Sequence, residues 1–221
     1  VVAREGSKTS RPVRLDEPTL RRAARRLRAK DPVLARIISE VGPCRLQRRR
    51  GMSDFAYLTR AILAQQISVA AARSIAARLN ARFGTPLHPA AVLAAREAEL
   101  RGLGLSRQKA AYLHDLAAHV ADGLPLARLP RLPDERVIEA LTVVKGIGRW
   151  TAEMYLMFRL GRPDVLPTDD LGLRAAMKRA YGMRSLPKPD RMRRIAAAWQ
   201  PFRTVGCWYL WRSLELKPPV D

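Results

Sequence analysis

The chain has 221 residues, of which 48% are apolar types, 41 are Lys or Arg and 20 are Asp or Glu, for a formal charge of +21. That apolar share suffices for a packed core and excludes a disordered polar tail, and no apolar run approaches the ~20 residues of a membrane span. The only two cysteines, Cys44 and Cys207, exclude a Cys-rich zinc site and a four-thiolate iron–sulfur cluster and point to a reduced, cytoplasmic setting.

Residues 1–15 read as a basic N-terminal tail without the apolar stretch of a secretory signal. Asp16-Glu17-Pro18 opens a helix, Asp31-Pro32 repeats the signal, and Gly42-Pro43 ends the second helix. Residues 45–50 form an extended basic link or a short strand. Ser53 caps a helix bearing Phe55, Leu58, Ile62 and Leu63 at helical spacing. Ser68 caps the next, with Ala71, Ala72, Ile75, Ala76 and Leu79 along one face and Gly84 beyond it. Short helices follow Pro89 and Arg96, and Ser106 caps a longer one that runs to Gly123. Pro125, Pro130 and Pro133 mark a loop, after which Val137, Ile138 and Leu141 lie on a helix stopping at Gly146. A helix follows Gly148 through Ala152, Tyr155, Leu156 and Phe158 to Gly161. Asp169 or Asp170 starts another that ends near Gly182, and the last two span residues about 189–200 and 202–215. No stretch alternates with period two long enough for a sheet. The fold is therefore all-α, with about ten to twelve short helices.

The charge is clustered. Residues 11–50 hold 13 basic and 4 acidic residues, and residues 174–194 hold 8 basic residues against one acid, Asp190. Of the 41 cations 34 are Arg, whose planar forks suit phosphate oxygens. A surface of this charge repels itself unless it meets a polyanion, which points to nucleic acid. Solvated helix faces are the plainer reading of such runs. Attachment to a membrane surface lacks the apolar, Trp- or Phe-anchored opposite face. The histidines, His88, His114 and His119, have no metal-ligand spacing, so no metal is expected.

The informative stretch runs from Leu141 to Arg174. Gly146-Ile147-Gly148 joins two helical patterns, with glycines free to turn tightly and Ile147 free to point inward. The next helix then offers its first unpaired N–H groups outward. Lys145 and Arg149 flank this anion site, which suits a backbone phosphate without reading sequence. A segment 42 residues earlier echoes it: Gly104-Leu-Ser-Arg-Gln-Lys-Ala110 against Gly146-Ile-Gly-Arg-Trp-Thr-Ala152. Duplication of a phosphate-gripping turn and chance similarity of two helix starts both fit that echo.

V-K-G-I-G-R-W-T-A at 144–152, followed by D-V-L-P-T-D-D at 164–170, resembles the helix-hairpin-helix plus Pro…Asp signature of the DNA glycosylase superfamily, and within it the alkylbase (3-methyladenine glycosylase II) branch. R-A-I-L-A-Q-Q-I-S-V at 60–69 and W-Q-P-F-R-T-V-G-C-W-Y-L-W at 199–211 are similar to that family's opening and closing helices.

The resemblance implies two helical lobes with a central cleft and no N-terminal sheet domain. Residues 53–165 would form the lobe with the hairpin, and 16–52 plus 166–221 the second. It makes Asp170 the catalytic carboxylate, with Asp169 as helix cap or support. An ionised carboxylate suits the task, because breaking an N-glycosidic bond develops positive charge on the sugar. Trp150 stands where strand-cutting relatives place a Schiff-base lysine, which implies a monofunctional enzyme using water. An indole also suits a cationic alkylated purine. Trp150, Trp211, Tyr155 and Met154 would line the base pocket. Lys145, Gly146, Ile147, Gly148, Arg149 and Thr151 would hold one phosphate, and Gly104, Ser106, Arg107 and Lys109 a second. Gln66 would wedge into the gap left by the flipped base. The expected partner is duplex DNA containing alkylated bases, bound by a monomer beside the nucleoid in a bacterium. No cofactor is expected, apart from a monovalent ion that the hairpin could hold. A non-catalytic helix-hairpin-helix DNA-binding protein and a bifunctional glycosylase/lyase remain as alternatives.

Overall fold

The computed structural model describes residues 15–49 and 51–216. The expected basic tail at 1–15 lies outside them, except for Leu15. The described residues form helices and turns with no strand, so the fold is all-α. The chain divides into two compact units. One comprises the described residues up to Gln47 and those from Gly161 onward, and the other runs from Arg48 to Leu160.

The first unit contains α1 (Glu17–Lys30), α2 (Pro32–Val41), α10 (Leu171–Ala180), α11 (Pro189–Ala196) and α12 (Arg203–Ser213). Asp16 and Asp31 cap α1 and α2 by accepting backbone N–H bonds, as the Asp-(Glu)-Pro signals predict. Leu20, Ala23 and Leu27 of α1 pack with Leu34, Ile37 and Ile38 of α2 and with the buried run Val205–Leu210 of α12. At their junction lies Asp31, only 6% exposed. Its Oδ1 accepts from the Val33 and Leu34 amides at 2.9 and 3.1 Å, and its Oδ2 from the Trp199 indole at 2.7 Å and from the Tyr181 hydroxyl. Four donors compensate the buried charge. Burial, and then the neighbouring carboxylate, push the Tyr181 hydroxyl pKa up.

The second unit contains α3 (Asp54–Ala64), α4 (Val69–Phe83), α5 (Pro89–Ala94), α6 (Glu97–Gly102), α7 (Arg107–Ala121), α8 (Asp134–Thr142) and α9 (Arg149–Met154). Ser53, Ser68 and Ser106 cap α3, α4 and α7 through their hydroxyls. Leu58, Ile62 and Leu63 of α3, Leu79 of α4, Val92 of α5, Leu100 of α6 and Leu113 and Leu116 of α7 form its core. Three local expectations change. The Pro125–Pro133 loop contains a 3-10 turn, Leu126–Arg131. Residues 45–49 of the basic link are not a strand; the Arg49 amide donates to the Phe158 carbonyl. The helix after Gly148 widens at Tyr155–Leu160 into π-helical turns, where Arg159 pairs with Asp54 at 2.6 Å.

Candidate active site

In the first unit the chain from Arg162 to Asp170 is strapped to the start of α12. Asp164 accepts two guanidinium bonds from Arg203, at 2.8 and 2.9 Å, and the Arg203 amide at 3.1 Å. The buried Thr204 hydroxyl donates to the Arg162 carbonyl and accepts from the Val165 amide. Two turns further along α12, the Trp211 indole N–H donates to Asp170 Oδ1 at 3.0 Å. The same oxygen accepts the Leu173 amide, which makes Asp170 the N-cap of α10. The cap role assigned to Asp169 is thereby corrected. Asp169 is exposed one residue before the cap, and the half-buried Asp170 is both cap and candidate catalytic carboxylate. The carboxylate thus accepts an otherwise unpaired amide of the first turn of α10.

Gly172 was not singled out in the sequence. A Cβ there would stand 3.2 Å from Asp170 Oδ1 and 3.6 Å from the Trp211 ring, so glycine keeps room at the carboxylate. The signal was available in D-D-L-G-L-R, where a glycine sits in the first turn of a helix that has no need of it.

In the second unit the Gly146–Gly148 turn joins α8 to α9. Gly146 takes φ +83°, with the Tyr112 ring where a Cβ would go. Ile147 is buried as expected, and Gly148 is the N-cap of α9 with no side chain to satisfy the first amides. The earlier turn has the same build. Gly104 takes φ +99°, Leu105 is buried like Ile147, and Ser106 caps α7 as Gly148 caps α9. The sequence echo is therefore an echo of conformation.

The charged side chains around these turns are more engaged than the sequence suggested. Arg149 forms a bidentate pair with Glu135, at 2.6 and 3.0 Å, and a further bond with Glu153 at 3.2 Å. That pairing holds the Glu135 carboxyl below its usual pKa. Lys145 donates its amide to Asp115 at 2.8 Å and places its ammonium 3.4 Å from the same carboxylate. Arg107 faces Glu97 at 3.7 Å and is otherwise well exposed. Lys109 donates to the Leu63 carbonyl at 2.7 Å, and burial lowers its pKa. The Thr151 side chain is buried, so what this residue can offer an anion is its backbone N–H.

Of the pocket aromatics in this unit, Trp150 is 44% exposed at the start of α9. Tyr155 is a correction. It has no exposed surface and lies edge-on to Tyr57, with ring centroids 5.6 Å apart, so it is core rather than pocket wall. Met154 is half-buried, its carbonyl accepting from the Tyr57 hydroxyl at 3.2 Å. Gln66 is exposed at the tip of the turn between α3 and α4. Among the described residues there is no cluster of His, Cys, Asp and Glu suited to a metal ion, and no helix is long and apolar enough to cross a membrane.

Comparison with known proteins gives this arrangement its context. The family model for HhH-GPD superfamily base excision DNA repair proteins matches residues 59–201. The chain is similar to the alkylbase DNA glycosidase-like protein mag2 of Schizosaccharomyces pombe, 30% identical over 204 residues that cover 89% of this chain and 94% of that one. Among solved structures, it is similar to the 3-methyladenine DNA glycosylase Mag1 of S. pombe in complex with abasic DNA. There the TM-score is 0.77 and identity 30%, over 90% of this chain and 100% of that one. The DNA-3-methyladenine glycosidase of Bacillus halodurans aligns with a TM-score of 0.78 and 33% identity over 92% of each chain. With a family match spanning the glycine turn and the Asp170 cap alike, the chain belongs to the HhH-GPD superfamily of base excision DNA repair proteins.

Proposed function

We propose that the chain is a monofunctional DNA glycosylase that hydrolyses the N-glycosidic bond of alkylated bases, 3-methyladenine and 7-methylguanine among them, flipped from duplex DNA. The observation that carries this reading is the Asp170 carboxylate, fixed by the Trp211 indole and the Leu173 amide. A fixed anion beside the deoxyribose stabilises the cationic sugar as the bond breaks, and it can align the attacking water. Cationic purines are already good leaving groups, so an aromatic wall suffices where a base-specific acid would otherwise be needed. Trp211, whose indole holds Asp170, supplies an aromatic face for that wall.

Position 150 offers no amine, which favours water as nucleophile over a covalent enzyme–sugar intermediate. The two glycine turns grip backbone phosphates through their amides, and Gln66 fills the gap in the stack. The protein acts as a monomer on cytoplasmic DNA, and a monovalent ion at the hairpin carbonyls would only brace the turn. Incubation with methylated duplex DNA tests the reading. Free 3-methyladenine or 7-methylguanine should appear, the strand should break only after alkali, and borohydride should trap no adduct. Tight DNA binding without free base would leave a non-catalytic binding protein, and a trapped adduct would establish a lyase.

A further inference from the structure

Gln66 is the only non-glycine residue with positive φ, +57°, among the described residues. An L-residue holds that left-handed conformation only where its surroundings enforce it. Two long-range bonds hold the chain that leads into the turn. The preceding Gln65 donates its side-chain amide to the Gly146 carbonyl at 2.8 Å, across 81 residues. Lys109, from the second glycine turn, donates to the Leu63 carbonyl at 2.7 Å. That carbonyl belongs to the last turn of α3, where helices leave acceptors unsatisfied. On the far side, Ser68 begins α4 by accepting the Ala71 amide. A groove of about 630 Å³ is lined by Gln65, Gln66 and Ile67 of the turn together with Lys109, Gly146 and Gly148 of the glycine turns, and the Gln65–Gly146 bond joins two of its walls.

We propose that Gln65 and Lys109 are positioning residues that fasten the Gln66 turn to the two glycine turns, so that phosphate gripping and gap filling act as one rigid unit. The inference rests on the glycosylase reading. On that reading the phosphates fix where the duplex lies, and the two bonds fix where Gln66 stands relative to it. Without them the tip would still reach DNA, but out of register with the extruded nucleotide.

The test compares single-turnover release of 7-methylguanine from two duplexes. In one the lesion is paired with cytosine; in the other it faces an abasic site, so no base pair has to be broken. Gln65→Leu and Lys109→Met each remove a donor and keep an apolar stem. Each should slow release from the paired lesion about threefold to tenfold more than release from the unpaired one, the worth of one hydrogen bond. Gln66→Gly should show the same contrast. Equal slowing on both substrates would overturn the proposal, as a merely structural or phosphate-binding role would give. So would undiminished release from the paired lesion. Should Gln65→Leu melt too low to assay, Lys109→Met decides alone. Release by the parent from the unpaired substrate separates this inference from its premise: if the parent releases no base there, it is the glycosylase reading that fails.

Discussion

Replacing Asp170 by Asn isolates the carboxylate charge. An Asn Oδ1 can still accept from the Leu173 amide and the Trp211 indole, two bonds that hold the native side chain. Asn and Asp are near equivalents as helix caps, so stability should change by less than about 1 kcal/mol. The charge is another matter. A unit charge about 4 Å from the developing cation contributes about 4 kcal/mol at an effective dielectric of 20, which corresponds to about a thousandfold in rate. Single-turnover release of 7-methylguanine, with protein in excess over duplex, should fall by that order. A gel-shift titration should give a Kd within about threefold of the parent, because the phosphate-gripping turns are untouched. Release within about tenfold of the parent, with DNA binding intact, would remove Asp170 from catalysis.

Three other substitutions separate stability from activity. Gly172→Ala should raise stability by about 0.5 kcal/mol in a denaturant melt, as alanine favours the helix. It should also lower the rate of base release, because the new Cβ crowds Asp170 Oδ1 at 3.2 Å; a variant both more stable and fully active would contradict that account. Asp31→Asn should cost about 2–4 kcal/mol, since its amide must turn an NH₂ towards donors that now meet carboxylate oxygens. Thermal unfolding of the first unit reads that loss directly, and a change below 1 °C would refute it. Glu135 carries a pH signature. Its folded pKa lies below the ordinary 4.5, so its pairing with Arg149 contributes stability above pH 4.5 and loses it as pH falls through the lowered value. Glu135→Gln should flatten that acid-side slope in hydrogen exchange of α8 and α9, by a small amount because the pair is exposed.

The helix starts were legible because capping is local. Asp16, Ser53, Ser68 and Ser106 each satisfy an amide three residues ahead. The sequence placed a carboxylate at the start of α10 but split capping and chemistry between Asp169 and Asp170, when one side chain can do both. Arg149 and Lys145 read as bare phosphate ligands because their acidic partners, Glu135 and Asp115, lie 14 and 30 residues away. Gln65 was passed over for the same reason, its partner being 81 residues on. Tyr155 misled because its place in the pocket came from the resemblance alone, while the Tyr57 ring it packs against lies far away in the chain.

The acids around the glycine turns have one more consequence, for how binding responds to ionic strength. Glu135, Glu153 and Asp115 already neutralise Arg149 and Lys145, so a phosphate seated on the turn meets chiefly uncharged backbone N–H dipoles. Such donors release few condensed cations from DNA. Grip at the turn should therefore persist in brine that strips ordinary arginine contacts, leaving sensitivity to salt to the basic stretches at 11–50 and 174–194.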